Sequence, residues 1–150
     1  MPFHRNLPKR TIKAPKIYFT DTGLLSYLLK YPDWQSLSAG PQAGAIFENY
    51  IVTEVLKMKY HRNLRYEPYF YRDSNRNEID LVIDKGFSTH LCEIKLAKTI
   101  GKKHYDTLRR LKEYFPYPTM SLVSLYPEHI PLDEGIENIP FTKLHEVIGV

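Results

Sequence analysis

Asp80, Glu93 and Lys95 stand in two short stretches, Asn77-Glu78-Ile79-Asp80-Leu81-Val82-Ile83-Asp84 and His90-Leu91-Cys92-Glu93-Ile94-Lys95, separated by a turn at Gly86. Both stretches alternate like strands, and together they predict a β-hairpin. Two carboxylates and a lysine on strands that would otherwise be apolar suggest chemistry. Carboxylate oxygens are hard ligands suited to Mg²⁺, which keeps several waters and takes one or two carboxylates plus phosphate oxygens. Neighbouring strands lie about 4.8 Å apart, so Asp80 and Glu93 on one face can converge on one ion. Lys95, two residues beyond Glu93, falls on its face about 6.6–7 Å along. There it can orient an attacking water, lower its pKa or offset charge on a pentavalent phosphate. The reaction this set suits is metal-dependent phosphodiester hydrolysis. The bland alternatives are a surface ion pair between Glu93 and Lys95, and Asp80 paired with Arg72 or Arg76.

The flanking elements must position these groups. On the strand at 78–84, strict alternation places Ile79, Leu81 and Ile83 on one face and Glu78, Asp80, Val82 and Asp84 on the other. On the strand at 89–96 it separates Cys92, Ile94 and Leu96 from Leu91, Glu93 and Lys95. Val82 and Leu91 imply that the face with the acids is partly covered. A strand at 64–72 precedes them, with Pro68 marking an edge or a bend, and 73–77 reads as a turn. Before it, a helix runs from 42 to 58 or 60 with Phe47, Ile51, Val55 and Met58 in one stripe. Glu48 lies on that stripe's side, because Ile51, Val52 and Val55 follow at i+3, i+4 and i+7. A carboxylate there is costly unless it is paired or holds a metal; otherwise it is a boundary residue reaching solvent. Glu54, over Lys57, reads as a solvated helix acid.

Further along, 102–115 predicts a helix burying Tyr105, Leu108, Leu111 and Phe115. Its other side carries Lys102, Lys103, Arg109, Arg110 and Lys112. With Arg76, the cations Lys102, Lys103, Arg109 and Arg110 are candidates for nucleic-acid contact, against the alternative of a solvated cationic face. A mostly apolar strand at 120–125 reads as central or parallel. Residues 126–140 read as a loop, 136–141 as a short strand, and Thr142 as the cap of a last helical turn reaching Ile148. At the other end, 1–16 is cationic and broken by prolines. A short strand at 16–20 follows, then a helix at 22–30 capped by Asp21 with Leu24, Leu25, Leu28 and Leu29 as its apolar set. Residues 32–42 read as a loop pinned by Trp34.

The chain has 150 residues, 43% hydrophobic, with a net charge of +4, which mildly favours a phosphate-bearing partner. Cys92 is its one cysteine, so an internal disulfide framework and a Cys-based zinc site are excluded. A reduced, cytoplasmic setting is the expectation. No apolar run approaches the roughly 18 residues that span a bilayer, so no membrane partner is expected.

Helix, three strands, helix, strand is a mixed-sheet order. With Glu78-Ile79-Asp80 and Glu93-Ile94-Lys95 it resembles the PD-(D/E)xK nuclease superfamily, whose motifs are an Asp and a Glu-x-Lys. Glu48 matches the extra acid that many members place on the first core helix. Glu78-Ile79 stands where the motif has Pro before Asp80, and Glu78 is either a ligand or a decoy. A narrower resemblance runs through Lys16-Ile17-Tyr18-Phe19-Thr20-Asp21-Thr22-Gly23-Leu24, Phe47-Glu48-Asn49, Tyr71-Arg72 and the two acidic motifs. These look like the uncharacterised C-terminal domain that follows many prokaryotic AAA+ type ATPases, over about 16–145.

The resemblance implies an α/β (α+β) fold with a restriction-endonuclease-like core in the order α-β-β-β-α-β and an N-terminal strand-helix extension. Residues 1–42 would be a basic arm, strand and helix, a remnant of a winged-helix domain, and 43–150 the nuclease-like domain of a truncated chain. It implies a Mg²⁺- or Mn²⁺-dependent endodeoxyribonuclease acting on DNA. Asp80, Glu93, Glu48 and the backbone carbonyl of Ile94 would be ligands, and Lys95 catalytic. An ATPase module would be the partner; a homodimer is left open. The alternatives are a catalytically silent module that binds nucleic acid or a partner for that ATPase, and cleavage of RNA by the same site.

Overall fold

A computed structural model describes residues 15–148; the expected basic arm at 1–14 lies outside the described residues. The chain forms a mixed α/β fold. Helix α1 (Thr22–Leu28) and α2 (Trp34–Ala39) lead into the long α3 (Ala43–His61). Strands β1 (Glu67–Arg72), β2 (Glu78–Asp84) and β3 (Thr89–Lys95) follow, then α4 (Asp106–Leu111) and β4 (Pro118–Ser124). Strands β5 (Ile130–Pro131) and β6 (Ile136–Pro140) and helix α5 (His145–Ile148) complete it. The six strands form one sheet in the order β1-β2-β3-β4-β6-β5. β1, β2 and β3 are antiparallel neighbours, whereas β3-β4 and β4-β6 are parallel. Gly86, at φ +86°, turns the β2-β3 hairpin in the left-handed region that costs a side chain dearly.

Apolar clusters cover both faces of the sheet. On one side Phe47, Ile51, Val52 and Val55 of α3 pack on Leu81, Ile83, Cys92, Ile94 and Val123. On the other, Leu108 and Leu111 of α4 pack on Ile79, Val82, Leu91 and Leu122. β4 is thus central, as its apolar run predicts. His90 is buried between β3 and β4, its ring nitrogens 2.7 Å from Thr119 Oγ1 and 2.8 Å from Ser121 Oγ. Burial, and secondarily Lys85, pushes its pKa down to about 4, so it is a neutral structural imidazole near pH 7.

The alternation predicted for β2 is broken by a bulge. Tyr69 pairs with Val82 and Tyr71 with Ile79, so two steps on β1 (71 − 69) face three on β2 (82 − 79). The extra residue sends Ile79 to the α4 side with Val82, instead of sharing a face with Leu81 and Ile83. Ile79 stays buried because α4 covers that face. The same shift turns Asp80 towards α3, where it borders a pocket with Val52 and Leu56.

Several local details depart from the sequence reading or add to it. Residues 16–20 form no strand; an amide side chain takes the ladder's place, with Asn49 Oδ1 accepting from the Phe19 N–H (2.7 Å) and Asn49 Nδ2 donating to the Phe19 carbonyl (2.8 Å). Residues 34–39 form α2 rather than loop, because Asp33 and Ser36 make a reciprocal capping box. Trp34 pins nothing down, since it is 62% exposed. The leucines of α1 do not enter the core; Leu24, Leu28 and Leu29 are exposed and no residue of α1 is buried. The helix expected at 102–115 is α4 between two 3₁₀ turns, Lys102–His104 and Lys112–Tyr114. Its apolar row Tyr105, Leu108, Leu111 is spaced by three, a row that lines up when the helix tightens towards 3₁₀. Similarly, the loop at 126–140 contains β5, and the final turn begins at Phe141 after Pro140 rather than at a Thr142 cap.

The contrast between α3 and α1 is measurable. Ile51→Ala empties a fully buried position of the core and is expected to cost about 2–5 kcal/mol. Leu28→Ala, at a site 56% exposed, is expected to cost less than about 0.5 kcal/mol. Urea midpoints of the two variants measure both.

Candidate active site

The β2 bulge and the end of β3 meet at one end of the sheet. Asp80 Oδ2 accepts a hydrogen bond from the Ile94 backbone N–H at 2.9 Å and one from Lys95 Nζ at 3.2 Å. Lys95 Nζ lies 2.7 Å from Glu93 Oε2. The β2-β3 register ends at the Leu81–Cys92 pair, and beyond it the Asp80 side chain holds the two strands together. Asp80 and Glu93 are buried, Glu93 to 3% exposure.

A second group of acids adjoins the first. Glu48, Glu78 and Asp80 each place one carboxylate oxygen within 4.8 Å of the others. Glu48 Oε1 accepts from Lys16 Nζ at 2.8 Å and from the Tyr18 hydroxyl at 3.1 Å. Glu78 pairs with Lys16 through Oε1 and takes a forked bond from Arg72 (Nε 2.9 Å, Nη2 2.7 Å) on Oε2. Arg72 therefore serves Glu78 and not Asp80. Glu54 pairs with Lys57 at 2.7 Å on α3, as a helix acid does.

Electrostatics follow from crowding charges out of water. Burial first, and then the charge of Asp80, push Glu93 up to about 8 against the counter-pull of Lys95. Burial works against the charge on Lys95, but Asp80 and Glu93 outweigh it and its pKa is raised. The same balance raises Lys16, where Glu48 and Glu78 overcome burial. Burial and the neighbouring Glu48 raise Tyr18. Glu78 is lowered: burial opposes ionisation, but Lys16 and Arg72 prevail. Four carboxylates thus face Lys16, Arg72 and Lys95, and near pH 7 the proton on Glu93 completes the balance.

The oxygen-only donor set fits a hard divalent cation. Glu48, Glu78 and Asp80 are the group able to hold one, and Glu93 is tied to Asp80 through Lys95.

A family model described as "Domain of unknown function (DUF4143)" matches residues 43–144. The chain belongs to the DUF4143 family. It is 32% identical over 147 residues to an uncharacterised protein of Mycobacterium tuberculosis and, to the same degree, to one of Mycobacterium bovis. Each alignment covers 95% of this chain but 31% of the relative, so the chain spans about a third of those proteins. No solved structure matches it. The family match begins where α3 begins, and it contains Glu48, Asp80, Glu93 and Lys95.

Within this DUF4143 chain, the four acids and lysine singled out from sequence do come together. Alternation alone put Glu78 on Asp80's side, and the bulge keeps them together facing α3. Lys16, Tyr18 and Arg72 were missed as members of the site. The available signal was the two-residue spacing of Lys16 and Tyr18 in an extended stretch, which points both polar ends the same way. At Ile94 the contact runs through the N–H. The cations proposed for nucleic acid are spread and mostly paired. Arg109 and Lys112 bind Glu134 (Nη2 2.8 Å and Nζ 2.8 Å), Arg110 binds Asp106 at 3.2 Å, and Lys102 lies 3.6 Å from Asp133. Arg76 sits in the β1-β2 turn at φ +63°, and Lys103 is exposed. Among the described residues, no helix is long and apolar enough to cross a membrane.

The raised Glu93 pKa fixes a pH dependence. Unfolded, Glu93 ionises near 4.5; folded, it keeps its proton to about 8. Between those values the folded state binds more protons, so stability contributed by Glu93 falls as pH rises. The measurement belongs above His90's ordinary 6.5, where that group's opposite contribution fades with rising pH. Metal-free protein is expected to lose stability from pH 6.5 to 8, and Glu93→Gln to flatten that slope. Denaturant titrations across the window check it; equal slopes in the two proteins would contradict the assignment.

Proposed function

We propose that this DUF4143 domain is a Mg²⁺- or Mn²⁺-dependent nuclease that hydrolyses DNA phosphodiesters on a restriction-endonuclease-like core. The observation that carries this reading is the contact of Lys95 Nζ with both Asp80 (3.2 Å) and Glu93 (2.7 Å) at a buried sheet end. Asp80 and Glu93, with Glu48 nearby and the Ile94 carbonyl, would hold the ion. When bound, such an ion polarises the phosphate and lowers the pKa of a coordinated water.

The chain's own residues do the rest. Lys95, long and cationic, offsets charge on the phosphate and orients the attacking oxygen. Water attacks phosphorus, forming a new P–O bond as the bond to the leaving sugar oxygen breaks. The water's proton passes to an ionised carboxylate or solvent, and the leaving oxygen takes one from water. Glu93 must lose its proton to serve as a ligand, so metal binding tightens with pH towards about 8. Lys102, Lys103, Arg109, Arg110 and Arg76 are the cations available to the DNA backbone, and those bound to Glu134 and Asp106 must exchange partners. In the longer relatives an ATPase module is the proposed neighbour, and the cytoplasm the proposed setting.

The ion pairs favour a second reading. Because Lys16, Arg72 and Lys95 already neutralise the acids, the same geometry suits a catalytically silent module that binds nucleic acid or its ATPase. Metal linkage separates the two. Under the nuclease reading, Mn²⁺ at about a hundred times its Kd adds about 2.7 kcal/mol of stability, and Asp80→Asn removes that gain. Cleavage of supercoiled, linear, flapped or branched DNA is expected, with Lys95→Ala reducing it by about 10²–10³-fold while the circular dichroism stays unchanged. Absence of both metal stabilisation and cleavage favours the silent module.

A further inference from the structure

Building on the metal-dependent reading above, we propose that the Lys16 ammonium is the resident cation of the Glu48–Glu78 carboxylate pair. It stands where a second divalent ion would otherwise sit, so the protein takes its divalent ion at Asp80–Glu93 alone. Lys16 is a positioning residue in this scheme, holding the two carboxylates beside the ion rather than touching substrate.

The lysine occupies a built cradle. Its Nζ lies 2.8 Å from Glu48 Oε1 and pairs with Glu78 Oε1. It also stands over the Phe70 ring, 5.6 Å from the centroid, a favourable place for a cation. Its side chain is only 17% exposed. Three of the pair's four carboxylate oxygens already accept from donors: Glu48 Oε1 from Lys16 and Tyr18, Glu78 Oε1 from Lys16, and Glu78 Oε2 from Arg72. A Mg²⁺ ion must sit about 2.0–2.1 Å from its oxygen ligands. An ion bridging Glu48 Oε1 and Glu78 Oε1 would stand where the ammonium stands. Ion and lysine therefore exclude one another.

The position of Lys16 is also templated by the helix that carries Glu48. Three residues after Lys16, the Phe19 N–H and carbonyl are both bound by Asn49, the neighbour of Glu48 on α3. Tyr18, between them, donates to Glu48 itself. A solvent-exposed lysine pairing by chance has no such clamp. Among the described residues, the cation in contact with Asp80 and Glu93 is Lys95, whose charge the reaction uses.

Counting bound Mn²⁺ by electron paramagnetic resonance on the whole chain tests this. Wild type and Lys16→Arg are expected to bind one ion, and Lys16→Met two. Equal numbers in wild type and Lys16→Met, or two ions in wild type, overturn the proposal. If wild type binds none while Lys16→Met binds one, the nuclease reading fails and the Lys16 assignment stands. If Lys16→Met is unfolded without metal, recovery of its circular dichroism on adding Mn²⁺ supports the proposal, and no recovery overturns it.

Discussion

Like charges taken out of water govern this molecule. A buried carboxylate costs several kcal/mol unless something answers its charge, and here two buried acids, Asp80 and Glu93, and two half-buried ones, Glu48 and Glu78, crowd one sheet end. Each neighbouring feature supplies part of the answer. Lys95 bridges Asp80 and Glu93, Arg72 forks onto Glu78, and Lys16 joins Glu48 to Glu78. The Ile94 N–H, which a regular ladder would give to a carbonyl, goes to Asp80. What remains is settled by a proton, kept on Glu93 well above the usual carboxylate range.

The sheet topology decides where this crowd can gather. β3 and β4 run parallel, joined by the α4 crossover, and β2 returns antiparallel beside β3. The carboxyl end of β3 therefore lies beside the start of β2. Glu93 and Lys95 come from the first, Glu78 and Asp80 from the second, and Glu48 reaches them from α3. Open α/β sheets place their ligand sites at such carboxyl ends. Towards the opposite end, His90 is closed in by hydrogen bonds to the hydroxyls of Thr119 and Ser121.

Much of this was legible in the residues. The boundaries of β2, the edge character of the Pro68 strand, the capping of α1 by Asp21 and the long α3 follow from alternation, proline and helical spacing. Glu48 stood out because a carboxylate on an apolar stripe needs a partner. The bulge was not legible, because Ile79 and Val82 satisfy either face of a sheet covered on both sides. α2 was hidden by its prolines and glycine, and its signal was the Asp33–Ser36 pair, a weaker form of the capping box than one with Glu or Gln. The exposure of the α1 leucines was hidden too. Spacing identifies an apolar face without saying what covers it. Lys16 was only partly legible for a related reason: its spacing from Tyr18 aligns two polar ends, but an ion pair across 32 residues names no partner locally.

The sparse packing of the first two helices has a consequence for access. Neither α1 nor α2 contains a buried residue, so lifting them from α3 sacrifices little apolar contact. Segments of that kind open well before a core strand does. Lys16 and Tyr18 belong to the chain that opens with them, held by Asn49, Glu48 and Glu78. The acids on α3 and β2, rooted in the core, stay behind. Accessibility of this acidic end is thereby tied to a local opening equilibrium of the N-terminal segment, far cheaper than unfolding the sheet that carries it.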